Sequence, residues 1–165
     1  MLSGLPGSGK SHFAQALAAR LGAVVISVDP IEDAMIRSGL PMSFETGVAA
    51  YEVGATVASA QLRNGLTVIA DAANYLEVGR DIWRRAADDA EAAMKVIEVT
   101  CSDTDLHRAR LEGRRGGLSD YPEPSWSDVV RRSTEAESWA CSRLVVDSAD
   151  KLDDMVEAAL TYLDT

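Results

Sequence analysis

The sequence predicts an α/β protein, a three-layer α/β/α sandwich around a five-stranded parallel sheet. Two observations carry this. Short apolar, β-branched runs alternate with helix-period segments from end to end, the pattern of strands joined by right-handed crossover helices. A glycine-rich stretch, Gly4-Leu5-Pro6-Gly7-Ser8-Gly9-Lys10-Ser11, also separates the first apolar residues from the first helix, with the spacing G-x-x-x-x-G-K-S.

Only Met1, Leu2 and Ser3 precede that stretch, against a usual strand length of about 5 residues. The first strand is therefore a stub, or the native start lies upstream. Behind the stretch, Phe13, Leu17 and Leu21 recur at i, i+4 and i+8, and Gly22 is placed to end the helix. This is the P-loop pattern, and its residue types have separable chemical reasons. Glycines take φ > 0 and let backbone N–H groups converge on phosphate oxygens without a Cβ in the way. Lys10 adds a mobile positive charge toward the β- and γ-phosphates, and the Ser11 hydroxyl is a Mg²⁺ ligand. The helix N-terminus points at the anion. A glycine-rich turn that merely ends in Lys-Ser is the competing reading, and the helix that follows argues against it.

Ala23–Val28 is a strand buried on both faces that ends at Asp29. Pro30 suits the first turn of a helix running to about Ser38, with Gly39 as its stop. Asp29 reads as an N-cap, with Glu32 completing a capping box. It also reads as a carboxylate at a strand's C-terminal end, where open α/β sheets place ligands and where a kinase needs a base beside the acceptor hydroxyl. From Glu45 to Asn64 runs an alanine-rich helix about 30 Å long, with Gly65 after it. On it, Tyr51 reads as packing and Glu52 as a solvated charge, although either could line an acceptor pocket.

Leu66–Ala70 is the next strand and closes with Asp71, an acid that can hold the Mg²⁺ shell together with the loop serine. A turn-forming Asp is the alternative, because Asn74 follows closely. Glu77–Ala92 is a helix with Ile82, Trp83 and Ala86 on one side, and Arg80 is placed at the surface. Met94–Thr100 makes the fourth strand, and Ser102 or Asp103 caps a helix on which His107, Arg110 and Arg114 share one face as potential phosphate donors. His107 alone does not make a catalytic candidate. Residues 115–124 have loop chemistry, which together with the arginines suggests a lid closing over triphosphate; a solvated basic face competes with that reading. Trp126–Trp139 reads as a helix carrying Arg131 and Arg132. Leu144–Asp147 is the fifth strand, and Leu152, Met155, Val156, Ala159, Leu160 and Leu163 mark a final amphipathic helix.

At 165 residues, 47% of them hydrophobic and 25% charged, one domain over 1–165 is expected. No run approaches the roughly 18 apolar residues of a membrane span and no signal peptide fits, so the expected setting is cytoplasmic, with no membrane partner. The net charge of −10, from 26 acids and 16 bases, disfavours a nucleic-acid partner. Cys101 and Cys141 show no metal or redox spacing and read as buried free thiols.

With GLPGSGKS, Asp29, the D-x-x-N segment at Asp71 and Asn74, and HRARLEGR on the page, the chain resembles P-loop kinases of the group that includes chloramphenicol phosphotransferase, gluconate kinase, zeta-toxin kinases and the kinase domains of polynucleotide kinases. It is also similar to short bacterial proteins labelled as AAA-family ATPases. The resemblance implies a sheet order of 2-3-1-4-5 and transfer of the γ-phosphate of ATP to a hydroxyl of a small molecule. Gly4, Leu5, Pro6, Gly7, Ser8, Gly9, Lys10 and Ser11, with His12 beside them and Arg110 from the lid helix, would hold ATP and Mg²⁺. Asp29 would be the acceptor-side base, and Asp71 would support the metal. Arg110 and Arg114, at the start of a short lid over about 110–125, would neutralise the transferred phosphoryl group, and Ser148-Ala149-Asp150 would touch adenine.

Departures limit the resemblance. Glu32 stands where polynucleotide kinases place an arginine, and no N-K-x-D guanine motif is present, which favours ATP over GTP. The extra helical domain of AAA+ machines is absent. A nucleotide-binding regulator, or an ATPase without a small-molecule acceptor, is the main rival. A polynucleotide or tRNA-related kinase is disfavoured by charge.

Overall fold

The computed structural model describes residues 1–113 and 124–165. Its strands are β1 (Leu2–Ser3), β2 (Val24–Ser27), β3 (Val68–Asp71), β4 (Ile97–Thr100) and β5 (Leu144–Asp147). They form one parallel sheet in the order β2-β3-β1-β4-β5, as the family resemblance implied. The helices are α1 (Lys10–Leu21), α2 (Val28–Arg37), α3 (Phe44–Arg63), α4 (Glu77–Asp89), α5 (Thr104–Glu112), α6 (Trp126–Glu135) and α7 (Leu152–Leu163).

Both faces of the sheet are covered, which is why its strands are apolar runs rather than alternating ones. On one face Phe13, Ala14 and Leu17 of α1 and Met155, Val156 and Ala159 of α7 pack on Leu2, Ile69, Ile97, Val99 and Val146. On the other, Ala50, Ala55 and Ala58 of α3 and Ile82, Trp83 and Ala86 of α4 close over Ile26 and Ala70. The small residues of α3 make room for Trp83: a Cβ at Gly54 would lie 3.1 Å from its ring. The alanines thus serve packing as well as helix propensity.

Parallel register gathers the strands' C-terminal ends along one edge of the sheet. Ser27 lies opposite Asp71, Leu2 opposite both Asp71 and Ile97, and Thr100 opposite Asp147. That edge is where open α/β sheets place their ligands.

Several expected boundaries move, each for a visible reason. β2 ends at Ser27, and α2 already begins at Val28, so Asp29 sits in the first turn of α2; the N-cap is Ser27, and the expected Asp29–Glu32 capping box does not form. Pro30 is accommodated because the N–H it lacks belongs to the first turn, where donors have no intrahelical partner. α4 stops at Asp89 rather than Ala92, since Glu91 turns left-handed at φ 51° and Ala92 N–H closes back on the Ala87 carbonyl. α6 stops at Glu135 rather than Trp139, where the chain becomes extended at Ala136 and Glu137 N–H donates to the Tyr75 carbonyl. Both cysteines are free, but Cys101 is half-buried and Cys141 exposed, so the expected burial is wrong.

Arg80 is the largest correction. Expected at the surface, it is only 2% exposed. Its guanidinium donates to the carbonyls of Asn74 (2.8 Å), Tyr75 (3.1 Å), Glu137 (2.9 Å) and Ser138 (3.0 Å), and lies 3.7 Å from the centroid of the Trp139 ring. An arginine can be buried when its donors are satisfied in this way, and here it clamps the segment after α6 onto the turn after β3.

Candidate functional site

The loop between β1 and α1 takes its shape from its glycines. Gly7 and Gly9 adopt φ of 81° and 87°, in the left-handed region that a Cβ disfavours. At Gly4 a Cβ would lie 2.6 Å from both Ser8 Oγ and the Val99 carbonyl, so β4 leaves no room for any other residue. Gly9 is the N-cap of α1 and provides no side-chain cap, leaving the first N–H groups of the helix for an anion.

Lys10 and Asp71 meet beneath this loop. Lys10 Nζ stands 3.5 Å from Asp71 Oδ1, and both side chains are almost wholly buried. The Ser27 hydroxyl donates to Asp71 Oδ2 at 2.9 Å, while Oδ1 accepts no hydrogen bond. Asp71 Oδ1, a buried carboxylate oxygen that accepts no hydrogen bond, is of the donor type that Mg²⁺ takes, and Ser11 offers a hydroxyl from the first turn of α1.

His107 braces the loop from α5. It is buried, its Nε2 makes a 2.8 Å hydrogen bond with the Pro6 carbonyl, and its ring meets Trp126 edge-on at 5.2 Å. With Nε2 protonated the imidazole is the donor. A Cβ at Gly7 would lie 3.1 Å from the His107 ring and from Leu111. One turn along α5, Arg110 donates to the Ser148 hydroxyl (2.7 Å) and carbonyl (3.0 Å). Ser148 follows Asp147, whose pKa is lowered by hydrogen bonds from the Ser102 hydroxyl, then from the Ala149 and Ser102 N–H groups.

Two cavities are lined by residues singled out in the sequence. The first, of about 440 Å³, is lined by the loop from Gly7 to Lys10, by Ser11, His12 and Arg110, and by Ser148 and Asp150. The second, of about 420 Å³, is walled by Asp29 and Glu32 of α2, Tyr51 of α3, Tyr75 and Arg131 and Arg132 of α6. Burial, with Asp29 and Glu32 among the nearby charges, pushes the Tyr51 phenol pKa well above its ordinary value and keeps it protonated, while its oxygen accepts the Asn74 N–H at 3.2 Å. Tyr51 therefore both packs, 6.0 Å from Trp83, and lines a cavity. Glu52 stays outside, paired with Arg85.

The sequence-expected residues thus divide. Lys10, Asp71, Ser11, His12 and Arg110 cluster at the loop, and Asp29 faces the second cavity. Arg114 and most of the lid expected over about 110–125 lie outside the described residues. Sequence reasoning missed His107, whose only signal is that it shares a helix face with Arg110. It also missed the work of Asn74, which is buried at φ 52°, donates to the Leu2 carbonyl at 2.5 Å and accepts from the Trp83 indole at 3.1 Å. The D-x-x-N spacing was the available signal. Among the described residues no helix is long and apolar enough to cross a membrane.

A model of the AAA domain matches residues 1–136. Uncharacterized proteins of Mycobacterium tuberculosis and Mycobacterium bovis are 33% identical over 132 residues, 73% of this chain; the chain spans about a quarter (26%) of the length of these curated relatives. Among solved structures, the APS kinase of Mycobacterium tuberculosis in complex with AMPPNP and APS superposes with a TM-score of 0.76 at 18% identity, covering 99% of this chain and 95% of that one. A gluconokinase from Sinorhizobium meliloti 1021 gives 0.66 at 20% identity, covering 99% and 89%. Kti12 of Chaetomium thermophilum in complex with ADP-AlF3 gives 0.64 at 21% identity, covering 97% and 96%. These likenesses bear out the expected resemblance at the level of the fold.

Proposed function

The chain belongs to the AAA-domain family, and from that premise we propose that it is an ATP-dependent phosphotransferase moving the γ-phosphate of ATP to a hydroxyl of a small molecule. One observation supports this above the others: a short path joins the two cavities. Lys10 in the first contacts Asp71, Asp71 accepts from Ser27, and the residues that follow Ser27, Val28 and Asp29, line the second. The two cavities are thus linked through neighbouring residues, and in-line transfer would need the acceptor hydroxyl brought from the second beside the γ-phosphate held in the first.

In this reading the backbone of Gly4–Ser11 cradles the β-phosphate and Lys10 spans to the γ-phosphate. Adenine would lie against the Ser148–Asp150 loop, which Arg110 holds through the Ser148 hydroxyl and carbonyl. Mg²⁺, held by Ser11 and Asp71, would offset phosphate charge when bound. Asp29 takes the proton of the attacking hydroxyl, and Arg110, with Arg114, balances charge on the transferred group. A cytoplasmic setting is part of the proposal.

The test starts from a screen of ADP release against sugars, nucleosides, aminoglycosides and phenols, followed by Asp29→Asn on the acceptor that responds. Loss of the base should lower acceptor-dependent turnover by about 10²- to 10⁴-fold while ATP affinity stays near wild type. Removing a carboxylate from the first turn of α2 costs about 0.3–1 kcal/mol, so the variant should fold. Wild-type turnover in folded Asp29→Asn would leave Asp29 as a helix-end charge, and the absence of acceptor-dependent ADP release across the whole screen would favour a nucleotide-binding regulator.

A further inference from the structure

The second cavity has a polarity that the phosphotransfer reading does not use. Asp29 and Glu32 stand on its α2 wall, while α6 contributes Arg131 and Arg132. The two arginines differ in what they are free to do. Arg131 is about half exposed and already donates to Asp128 at 3.2 Å and Glu135 at 3.3 Å. Arg132 is half-buried; its Nε is shielded from solvent and has no hydrogen-bond partner, and its guanidinium lies 5.8 Å from the centroid of the Tyr75 ring in the same cavity wall. Of the side-chain atoms so orphaned among the described residues, the others are Ser8 Oγ and carboxylate oxygens of Asp33 and Asp71, so Arg132 Nε is the only cationic donor. A buried charged donor left unpaired costs more than a neutral one, and such an atom calls for a missing partner.

Resting on the phosphotransfer reading, we infer that the acceptor carries an oxyanion, a carboxylate, phosphate or sulfate, held by Arg132. The guanidinium fork matches such a group with two parallel N–H donors. The Tyr75 ring beneath it restricts the side chain, and α6 is itself fixed by the Ser125–Asp128 capping box and by buried Val129. Arg132 gives the acceptor its direction: an anion held on the α6 wall leaves the hydroxyl end for the α2 wall, where Asp29 stands. In a chain of net charge −10 such a local cation favours the entry of a small anion. About 420 Å³ suits a molecule between a triose acid and a nucleoside monophosphate in size.

Two measurements separate this inference from the reading beneath it. In the first, the phosphate loop is filled with saturating AMPPNP and Mg²⁺, and sodium sulfate is titrated at constant ionic strength while the Arg132 Nε–H resonance, assigned by its loss in Arg132→Gln, is followed by ¹⁵N NMR. A saturable shift that persists in Arg131→Gln is expected. No shift, or only the linear drift of general screening, overturns the anion site. In the second, ADP release is compared within pairs: glycerol and glycerate, glucose and gluconate, adenosine and AMP. Turnover should favour the anionic member, and Arg132→Gln should raise its KM by at least about tenfold with ATP affinity retained, Arg132→Lys restoring part of the loss. Equal turnover of a neutral member overturns the inference and leaves phosphotransfer standing. Saturable sulfate binding at Arg132 with no acceptor-dependent ADP release from any pair keeps the anion site and overturns its use as an acceptor site.

Discussion

The two cavities are built on opposite plans. The one at the phosphate loop is mostly backbone: positive-φ glycines, a helix N-terminus, and carbonyls pinned by His107 and Arg110. The one beside it is made of side chains from α2, α3, α4 and α6, and Met42 and Phe44 at its wall are 59% and 63% exposed. In the phosphotransfer reading the contrast has a reason: phosphate has one shape and charge, so a single backbone geometry serves every phosphate donor. An acceptor, if the second cavity takes one, has no fixed shape, and a pocket for it can vary with the helices that wall it.

Substitutions can break this contrast, and the largest effect is expected at Lys10. Lys10→Ala should cut phosphoryl transfer by at least about 10²- to 10³-fold, as loss of a transition-state charge contact does. It should also lower the melting temperature of the ligand-free protein, because Asp71 is left buried with only the Ser27 hydroxyl, a change worth about 3 kcal/mol where a buried pair is broken. Turnover like wild type would remove the phosphate-loop assignment.

Gly7→Ala comes next. The left-handed φ costs about 1–2 kcal/mol, and the new Cβ meets His107 and Leu111 at 3.1 Å. Nucleotide affinity, measured by calorimetry, should fall at least about tenfold. Gly22→Ala is the matched control: its φ is also positive, but nothing lies within 4 Å of the added Cβ, so stability should drop without loss of affinity. Equal affinities in the two variants would show that loop shape is not what binds nucleotide.

His107→Ala removes the hydrogen bond to Pro6 and the edge contact with Trp126. About 1–3 kcal/mol of stability and a several-fold loss of nucleotide affinity are expected from freeing a buried carbonyl beneath the loop. Unchanged affinity with reduced stability would make His107 a packing residue only. The smallest effect belongs to the other cavity: Phe44→Ser should change stability by no more than about 0.5 kcal/mol and leave ATP affinity alone, while the KM of the acceptor rises a few-fold. A change in ATP affinity there would mean that the two cavities are coupled and the contrast drawn here is too sharp.

Much of the fold was legible because burial writes itself into sequence locally. Leu144–Asp147 and Leu152–Leu163 have the expected boundaries, and Gly22 ends α1 as read. Boundaries failed where a distant partner competes for backbone groups. The segment after Glu135 leaves its helix because Arg80, more than fifty positions earlier, takes the Glu137 and Ser138 carbonyls. Asp29 was misread as a cap because nothing in the local pattern says whether Ser27 or Asp29 will enter the helix first.

The sequence by itself determined the turn at Gly7 and Gly9, whose positive φ is a local requirement, and the spacing that puts Lys10 and Ser11 at the start of α1, whereas Gly4 is also required by the Val99 carbonyl of β4. Only the tertiary structure decided that His107 supports the loop, that Arg80 is buried, and that Arg132 shares a cavity with Asp29. Each of those facts joins residues on different elements. Whether a histidine or arginine is paired, stacked or orphaned depends on which groups packing brings within hydrogen-bond reach, and periodicity along the chain does not carry that information.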